Sequence, residues 1–471
     1  LGNSAQTVSS VGPLNINATG GLYCNANVVS GAGTFTMGNG SFLGMGHAQG
    51  ISLLGNATGN IQMTGARNFN TTGNYIYNGL VTQVTGGGLP TIINDLTIDN
   101  PLTVTIATNQ LINGVDLLKQ GTFDIGATKI THNGLSIISS VSGKMKADFG
   151  TVEMKGTTGI AQNLSGNWFV NKTISSLINA NSKGITVAPV PADTLLISTE
   201  MYYGPVTNSA ITTNDNLTLL SRSTATARFG EIVTASGNTI TGKVNIERYL
   251  FARKSWRLLA APVANGTSPF VTASWREAAS LASTGYGTQI TGPYGAAAGM
   301  DAFSQRASMK SWNPATNLYV DVTNTNSTTI SNAQGYYVFV RGDRAVPVTG
   351  AAAATNLRIK GDILTGNQIF NVPAGKFQTF GNPYPSRIDF RTVTKSSVTA
   401  SFITWNPNSP GSYNVGGFET YTFDGTNYLK VPGGTIRNFI ESGEAVFVQS
   451  NAGAGIVTVK ESDKVAGSAA V

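Results

Sequence analysis

The stretch that decides the fold is residues 94–137, which read NDLTIDNPLTVTIATNQLINGVDLLKQGTFDIGATKITHNGLSI. In the run LTVTI, Leu102, Val104 and Ile106 alternate with threonines, and this period of two is the pattern of a half-buried β-strand. Asn-Gly and similar pairs separate the apolar runs, and such pairs tolerate the positive φ of tight corners. The stretch therefore predicts short strands joined by tight polar turns.

The same texture extends over residues 1–240, although without an exact period. The strands are very short, the corners are tiny, and no long helix is present to return the chain between parallel neighbours. We therefore predict a parallel β-solenoid-like region for residues 1–240, in preference to a sandwich. In such a coil the apolar side chains point inward, and Thr and Asn residues stack into ladders on the outside.

A second kind of repeat begins after about residue 240. One copy contains WRLLAAPV, SWNPATNLYVDV and GYYVFVRGD, and the other contains FQTFGNPYPS, TWNPNSPGSYNVGG and GEAVFVQSN. Each copy has a Trp-Asn-Pro corner, at 312–314 and 405–407, and a late apolar strand, at 338–340 and 446–448. We predict two related β-sandwich-like units, 241–345 and 346–471, in an all-β chain. The stretch SPFVTASWREAASLAST, around Trp275, Glu277 and Leu281, is the one candidate for a short helix.

Composition narrows the class of protein. Only 11% of the residues are charged, against about 25% in ordinary globular proteins. The net charge is +7, but the densest basic run is ERYLFARKSWR at 247–257. A nucleic-acid surface needs a broader stripe of phosphate contacts, so we expect an ordinary strand pair here and no nucleic-acid partner.

Cysteine usage and hydropathy add further expectations. Cys24 is the single cysteine, so we interpret it as a small buried apolar residue, with an intermolecular disulfide as the alternative. No run of 18 apolar residues is present, which predicts no helical membrane span. The chain opens with Leu1 and not Met, which fits an exported protein after removal of a signal, although a trimmed chain would look the same.

Several strings resemble the large surface proteins of Bacteroidetes that are exported by type IX secretion: GNPYPSRIDF, YYVFVRGDRA, NLTLLSRSTATARFG, NIERYLFARKSWRLLAAPV and ESGEAVFVQS. The strings ATGNIQMTGARNFNTTGNYIYNG and QVTGGGLPTIINDLTIDNP resemble the strand-rich region that precedes those elements. The resemblance implies a location at the cell surface or beyond it, and an adhesin or surface fibre more than an enzyme. Such proteins usually end in a small sorting domain, whereas this chain stops at VTVKESDKVAGSAAV, so its mode of attachment stays open.

The tripeptide Arg341-Gly342-Asp343 could be an adhesive loop or the end of a strand. The repeat aligns it with Gln449-Ser450-Asn451, an ordinary strand-to-turn junction. We therefore expect Arg341 and Asp343 to be turn and ion-pair residues.

Candidates for metal or acid–base chemistry are few. His47 and His132 each stand alone among Gly, Thr and Asn, so we expect both at corners of the coil, with no metal site and no Ser-His-Asp arrangement. Asp215 and Asp424 lie on tight loops without the ligand density of a calcium site. The sequence assigns no catalytic, cofactor-binding or metal-binding residue.

Carboxylates and aromatic rings leave two alternatives open. Asp95 with Asp99, or Asp116 with Asp124, could form the carboxylate pair of a polysaccharide-cleaving solenoid, or could cap turns. Exposed rings could bind glycans or pack at corners. The rings in question are Tyr202, Tyr203, Trp312, Trp405, Tyr413 and Tyr421.

The sequence thus favours a secreted, non-enzymatic structural protein that self-assembles into a surface fibre or layer. Low charge weakens repulsion between copies, which favours self-association. A stand-alone adhesin that binds glycans or surfaces is the first alternative, and a polysaccharide-active β-helix enzyme is the second.

Overall fold

The computed structural model describes residues 6–56, 58–134, 137–156, 159–190, 193–266, 269–277, 284–330 and 333–467. The fold is nearly all-β, with 46% of the residues in strands, which confirms the predicted class. The chain divides into an N-terminal unit, Leu1–Ile197 with Tyr203–Asn216, and a C-terminal unit, Ser198–Tyr202 with Leu217–Val471. No helix in the described residues is long and apolar enough to cross a membrane.

The first strands are mostly two to four residues long, with a few longer ones that bend around corners. They are β1 Thr7–Ser9, β2 Leu14–Ile16, β3 Gly21–Tyr23, β4 Val28–Gly31, β5 Phe35–Met37, β6 Phe42–Met45, β7 Ile61–Met63, β8 Arg67–Asn68, β9 Asn74–Tyr77, β10 Gln83–Val84, β11 Ile92–Ile93, β12 Leu96–Thr105, β13 Gln110–Ile112, β14 Asp116–Asp124, β15 Lys129–His132, β16 Ile137–Ser139, β17 Gly143–Met154, β18 Gln162–Leu164, β19 Phe169–Asn179, β20 Ile185–Val187, β21 Leu195–Tyr203 and β22 Ala210–Thr212.

These strands form a β-solenoid of about nine turns, as predicted. Each strand pairs in parallel with the equivalent strand of the next turn, for example β6 with β9, β9 with β12, and β12 with β14. Parallel strands need a connection that returns the chain to the same end of the sheet. Here the remaining strands and short polar corners of each turn form that connection.

The interior of the solenoid is filled by ladders of apolar side chains. Leu43, Tyr75 and Leu96 lie one above another and are fully buried. Burial of each such side chain contributes about 1.5–3 kcal/mol, which stabilises the stacked turns. The same ladder continues to Ile137, but Asp116 occupies the position between Leu96 and Ile137. A carboxyl group therefore stands in an apolar interior.

The alternation predicted for residues 102–106 is correct for Val104 and Ile106, which are buried, and wrong for Leu102, which is 48% exposed. The register between β12 and β14 shifts on either side of Asp99, because the chain bends at this corner. Leu102 lies on the outside of that bend. The facing Gly121 has a φ of 68°, a conformation that favours glycine.

Charged side chains on the outside of the solenoid pair with opposite charges on the next turn. Lys119 Nζ lies 3.5 Å from Asp99 Oδ2, and Lys146 Nζ lies 2.9 Å from Asp124 Oδ2. Stacking places side chains of neighbouring turns side by side, so a like pair would be destabilising. The few charges are therefore arranged to attract.

Pairs of asparagines join neighbouring turns at one corner, but Asn74 and Asn133 are buried and do not lie on the outside, where the sequence predicts such ladders. Asn94 Nδ2 donates to Asn74 Oδ1 over 2.8 Å, and Asn133 Nδ2 donates to Asn113 Oδ1 over the same distance. The side-chain amide both donates and accepts, so each residue can serve the turn before it and the turn after it.

The C-terminal unit contains the remaining strands and short 3₁₀ turns. The strands are β23 Leu217–Leu219, β24 Arg228–Phe229, β25 Thr239–Thr241, β26 Val244–Leu250, β27 Ser255–Leu259, β28 Thr291–Gly292, β29 Ala302–Phe303, β30 Met309–Asn313, β31 Leu318–Asp321, β32 Tyr336–Val340, β33 Thr355–Gly361, β34 Gln368–Val372, β35 Phe377–Gly381, β36 Ile388–Asp389, β37 Thr394–Ser396, β38 Ser401–Asn406, β39 Gly417–Phe423, β40 Tyr428–Val431, β41 Phe439–Ile440, β42 Ala445–Gln449 and β43 Gly455–Val459. Within the described residues of both units, the 3₁₀ turns are Gly166–Trp168, Thr234–Ser236, Val271–Ala273, Ala296–Ala298, Ser412–Asn414 and Glu461–Asp463.

Strand pairing changes character at β26. This strand pairs in parallel with β23 and antiparallel with β33. The change falls close to residue 240, where the sequence texture also changes.

The two repeat copies form sheets with the same strand order. The first sheet runs β27-β32-β30-β31, and the second runs β35-β42-β38-β39 with β40 added at its edge. The two Trp-Asn-Pro corners lie at equivalent places, because Trp312 is in β30 and Trp405 is in β38, and each of these strands is third in the order of its sheet. The sequence repeat is thus a repeat of sheet topology.

Aromatic side chains pack the two sheets against each other. One cluster joins Leu258 and Tyr337 of the first sheet to Phe447 of the second, with Trp312 and Trp405 packed against it. The opposite face of the second sheet packs on the three-stranded sheet β34-β43-β37, through a core that includes Phe380, Phe402, Val446, Val457 and Val459. The second sheet is therefore covered on both faces.

The candidate helix around Trp275 is described only in part. Val271–Ala273 forms a single 3₁₀ turn, and Trp275 is buried. Leu281 lies outside the described residues.

Candidate functional site

The Arg341-Gly342-Asp343 tripeptide lies at the end of β32, and its carboxylate is buried. Asp343 is 5% exposed. Its Oδ2 accepts from the Gly285 amide over 2.7 Å, and its Oδ1 accepts from the Ala345 amide over 2.9 Å. A receptor that must reach this carboxylate would have to displace both hydrogen bonds. Asp343 is a turn residue, as predicted.

The ion pair at this turn belongs to the next residue along the chain. Arg344 Nη2 lies 2.8 Å from Asp301 Oδ1, and Arg276 Nε lies 2.9 Å from the same oxygen. Arg341 instead stacks on the ring of Phe339, with 4.8 Å between its guanidinium carbon and the ring centroid. The tripeptide is therefore built into the packing of the C-terminal unit.

The two histidines differ in position. His47 lies at a corner, where its Nδ1 accepts from the Gln49 amide over 3.1 Å. His132 was predicted at a corner as well, and this prediction is wrong: it ends β15 and is buried in the interior, above Ile112 in the ladder. The pattern KITH places His132 on the same face as Ile130, which is the inward face.

The predicted carboxylate pairs have separate partners. Asp95 Oδ1 accepts from the Val115 amide over 2.7 Å, while Asp99 faces Lys119. Asp116 points inward and is fully buried, while Asp124 points outward to Lys146. Each carboxylate thus caps a corner, pairs with a lysine or lies inside the coil.

Asp116 and His132 form a buried pair across a corner of the solenoid. Asp116 Oδ2 lies 4.0 Å from His132 Nε2. Neither Asp116 oxygen, nor Nε2 of His132, has a hydrogen-bond partner among the described residues. Burial raises the pKa of Asp116 to about 8 and lowers the pKa of His132 to about 3. Both groups are therefore held toward their neutral forms.

The remaining metal and thiol candidates have structural surroundings. Asp424 Oδ1 accepts from the Thr426 and Asn427 amides, each over 2.8 Å, which is a turn cap. Asp215 adopts a φ of 61° in a tight turn. Cys24 is buried, as predicted, and burial raises the pKa of its thiol to about 12. Over the described residues, no three His, Cys, Asp or Glu side chains converge on a point where a metal could bind.

The aromatic residues predicted as possible glycan-binding residues differ in their solvent exposure. Trp312 packs between the two repeat sheets, and its Nε1 donates to the Phe377 carbonyl over 2.8 Å. Tyr413 is 95% exposed on a loop. Tyr202 and Tyr203 end β21 and are half-buried. Trp405 and Tyr421 are brought together, because both line one pocket in the C-terminal unit.

This pocket has a volume of about 380 Å³, within the range of small-ligand sites. Two of its aromatic side chains, Trp405 and Tyr421, come from the neighbouring strands β38 and β39. Phe251 follows β26, and Phe439 begins β41. Sequence positions almost 190 residues apart are thus brought to one cavity.

Ion pairs form the polar wall of the pocket. Arg387 Nη2 lies 2.6 Å from Glu441 Oε1, and the guanidinium of Arg387 stacks over Phe439 at 4.8 Å. Arg437 pairs with Glu444, beside the pocket.

Glu419 is the third acidic residue at this site. Its Oε1 lies 2.6 Å from Lys430 Nζ, and its Oε2 accepts from the Tyr421 hydroxyl over 2.8 Å. Burial alone would raise the pKa of Glu419, but hydrogen bonds from Lys430, Asn406 and Tyr421 outweigh it and hold the pKa below its usual value. The carboxylate is therefore charged and already satisfied at neutral pH.

Sequence reasoning found Trp405 and Tyr421 but missed Arg387, Arg437 and Glu441. Trp405 and Tyr421 stand out in the sequence by their aromatic side chains. The arginines and the glutamate lie in RIDF and IRNFIESGE, where no spacing marks them as a site. The cluster ERYLFARKSWR was the available signal, since Phe251 lies in its centre.

No family model, no curated protein and no solved structure matches this chain. The fold itself defines the class, an all-β protein with an N-terminal β-solenoid.

Proposed function

We propose that this chain is a non-enzymatic extracellular structural protein whose solenoid associates laterally with copies of itself to form a surface fibre or layer. The observation that supports this proposal is a stripe of exposed apolar side chains along one corner of the coil. We call Leu80, Val81, Leu102 and Val141 the corner stripe.

The corner stripe follows from the stacking of successive turns. Gln83 pairs in register with Val104, and Val81 and Leu102 each lie two residues before that pair. They therefore occupy equivalent positions on adjacent turns. Val81 is 49% exposed, and Leu102 is 48% exposed.

Two further residues extend the corner stripe. Leu80 is 81% exposed and Val141 is 97% exposed. The turn that carries Val141 stacks on the same corner, because the Ser140 amide donates to the Leu118 carbonyl over 2.9 Å. Lys119 and Gln120 lie at this corner on the turn between Leu102 and Val141, so the exposed apolar side chains occupy three of four successive turns. Exposed apolar patches mark interaction sites more often than single exposed side chains do.

Charge supports the same proposal. The chain has few charged residues, and charges of the solenoid such as Asp99 and Lys119 are paired with each other. Repulsion between copies is therefore weak, and the apolar contact does not have to overcome it.

Substitution of the corner stripe tests this proposal. We expect the triple variant Leu80→Ser, Leu102→Ser, Val141→Ser to raise the protein concentration at which assembly begins by at least ~10-fold, because three exposed apolar contacts are lost. Sedimentation velocity over a concentration series measures this onset.

The matched control replaces exposed apolar residues elsewhere on the same unit, as Val11→Ser, Ile160→Ser, Val190→Ser. We expect it to assemble like the unmodified protein. Equal assembly of the corner-stripe variant and the control would contradict the proposal.

A further inference from the structure

Two buried arginines lie behind the pocket in the C-terminal unit. Arg248 is 6% exposed and Arg257 is 2% exposed. In both residues, Nε and Nη2 have no hydrogen-bond partner among the described residues. Nη1 of Arg257 donates to the Ser255 hydroxyl and the Trp256 carbonyl, so its guanidinium group is only partly satisfied. Partly unpaired buried guanidinium groups are costly.

Both arginines are coupled to the pocket wall. Arg257 stacks over Phe251, with 4.6 Å between its guanidinium carbon and the ring centroid, and Phe251 lines the pocket. Burial lowers the pKa of Arg248, while the charges of Glu441 and Glu444 raise it. Burial and the charges of Arg253 and Arg248 lower the pKa of Arg257.

The charge balance around the pocket is positive. Three guanidinium groups share two carboxylates: Arg248, Arg387 and Arg437 face Glu441 and Glu444. The third acidic group, Glu419, is already paired with Lys430. The excess positive charge would therefore attract an anionic ligand group to Arg387 and Arg437. Charge-assisted hydrogen bonds to such a group are stronger where water is excluded.

The other walls of the pocket suit a sugar ring. Phe251 and Phe439 are half-buried and offer aromatic surface, on which the apolar face of a pyranose can pack. The amides of Asn406 and Asn438 are bonded to Glu419 and Asn427, whereas Asn408 lies at the exposed rim of the cavity. Amide groups donate and accept, as hydroxyl recognition requires.

We propose that this pocket binds an acidic saccharide, with the sugar ring against Phe251 and Phe439 and its carboxylate toward Arg387 and Arg437. This binding site is additional to the structural role proposed above and does not depend on assembly. The carboxylate is specified because its two oxygens match the planar fork of arginine.

Calorimetric titration with three ligands of equal length tests this site. The ligands are trigalacturonate, its methyl ester and neutral galactotriose. We expect trigalacturonate to bind at least ~10-fold more tightly than the other two, because only it carries charges for the arginines. Comparable affinity for all three, or no binding of trigalacturonate, would overturn the proposal.

Variants locate the site. Arg437→Met removes a charge and keeps the apolar stem, and we expect affinity for trigalacturonate to fall at least ~10-fold. Arg306→Met is the matched control, because Arg306 is exposed outside the pocket and its loss changes the net charge equally. Equal affinities of the two variants would overturn the assignment.

A second variant distinguishes loss of the site from misfolding of the protein. Asn408→Trp places a bulky ring at the rim without removing any buried charge, and we expect it to block binding while the melting temperature is unchanged. Unimpaired binding by Asn408→Trp would contradict this location of the site.

Discussion

Replacement of Asp301 by alanine lowers the free energy of unfolding of the C-terminal unit by about 3–5 kcal/mol. Asp301 Oδ1 accepts from Arg344 Nη2 over 2.8 Å and lies 2.9 Å from Arg276 Nε, and its Oδ2 accepts from the Ile290 amide over 3.0 Å. All three side chains are nearly inaccessible to solvent. The variant leaves two buried guanidinium groups without their carboxylate. Water cannot reach these groups to solvate their charge.

Urea unfolding followed by tryptophan fluorescence measures this effect. The matched control is Asp362→Ala, since Asp362 pairs with Lys243 at 3.4 Å in a much more exposed setting. We expect the control to lose no more than about 1 kcal/mol. Equal losses in the two variants would show that the Asp301 network is not a stabilising element of the strand end that carries Arg341-Gly342-Asp343.

We expect replacement of Asp116 by leucine to stabilise the solenoid at pH 8 by about 3–5 kcal/mol. Asp116 stands between Leu96 and Ile137 in an interior ladder, so a leucine continues the apolar column. Burial raises the pKa of Asp116 from its ordinary 3.8 to about 8. The folded protein therefore holds a proton that the unfolded chain releases above about pH 4.

The sign of the pH dependence follows from this difference. The contribution of Asp116 to stability is fully present below about pH 4 and is lost as the pH rises toward 8, because ionisation then favours the unfolded chain. His132 acts in the opposite direction, since its pKa falls to about 3 and acid therefore favours the unfolded chain below about pH 6.

Thermal unfolding of the unmodified protein and of Asp116→Leu between pH 4 and pH 8.5 measures the effect. We expect the gap between their melting temperatures to widen as the pH rises. Asp124→Leu serves as the control on the outside of the same strand, and there we expect no stabilisation. A constant gap across this range would contradict an elevated pKa at Asp116.

The fold could be read from the sequence because it depends on local signals. The alternation of Val104 and Ile106 and the Asn-Gly corners specify short strands and tight turns. Leu102 was misplaced because the bend at Asn100 and Pro101 depends on the register between β12 and β14, which no local pattern shows. His132 was misplaced because polar residues are ordinarily found outside.

The candidate pocket could be anticipated only in part. Trp405 and Tyr421 stand out by residue type, but Phe251 and Arg387 reach the pocket through strand pairing over long separations. The buried state of Arg248 and Arg257 is likewise invisible in the run ERYLFARKSWR, which reads as an exposed basic strand. Contacts between distant segments decide such sites, and a single sequence does not contain them.

Negative-stain electron microscopy of the native protein, released without denaturant, tests the proposed assembly most directly. We expect regular filaments or sheets that become fewer and shorter in the triple variant Leu80→Ser, Leu102→Ser, Val141→Ser. Dispersed single particles at every concentration, with or without the corner stripe, would contradict a structural role through self-assembly.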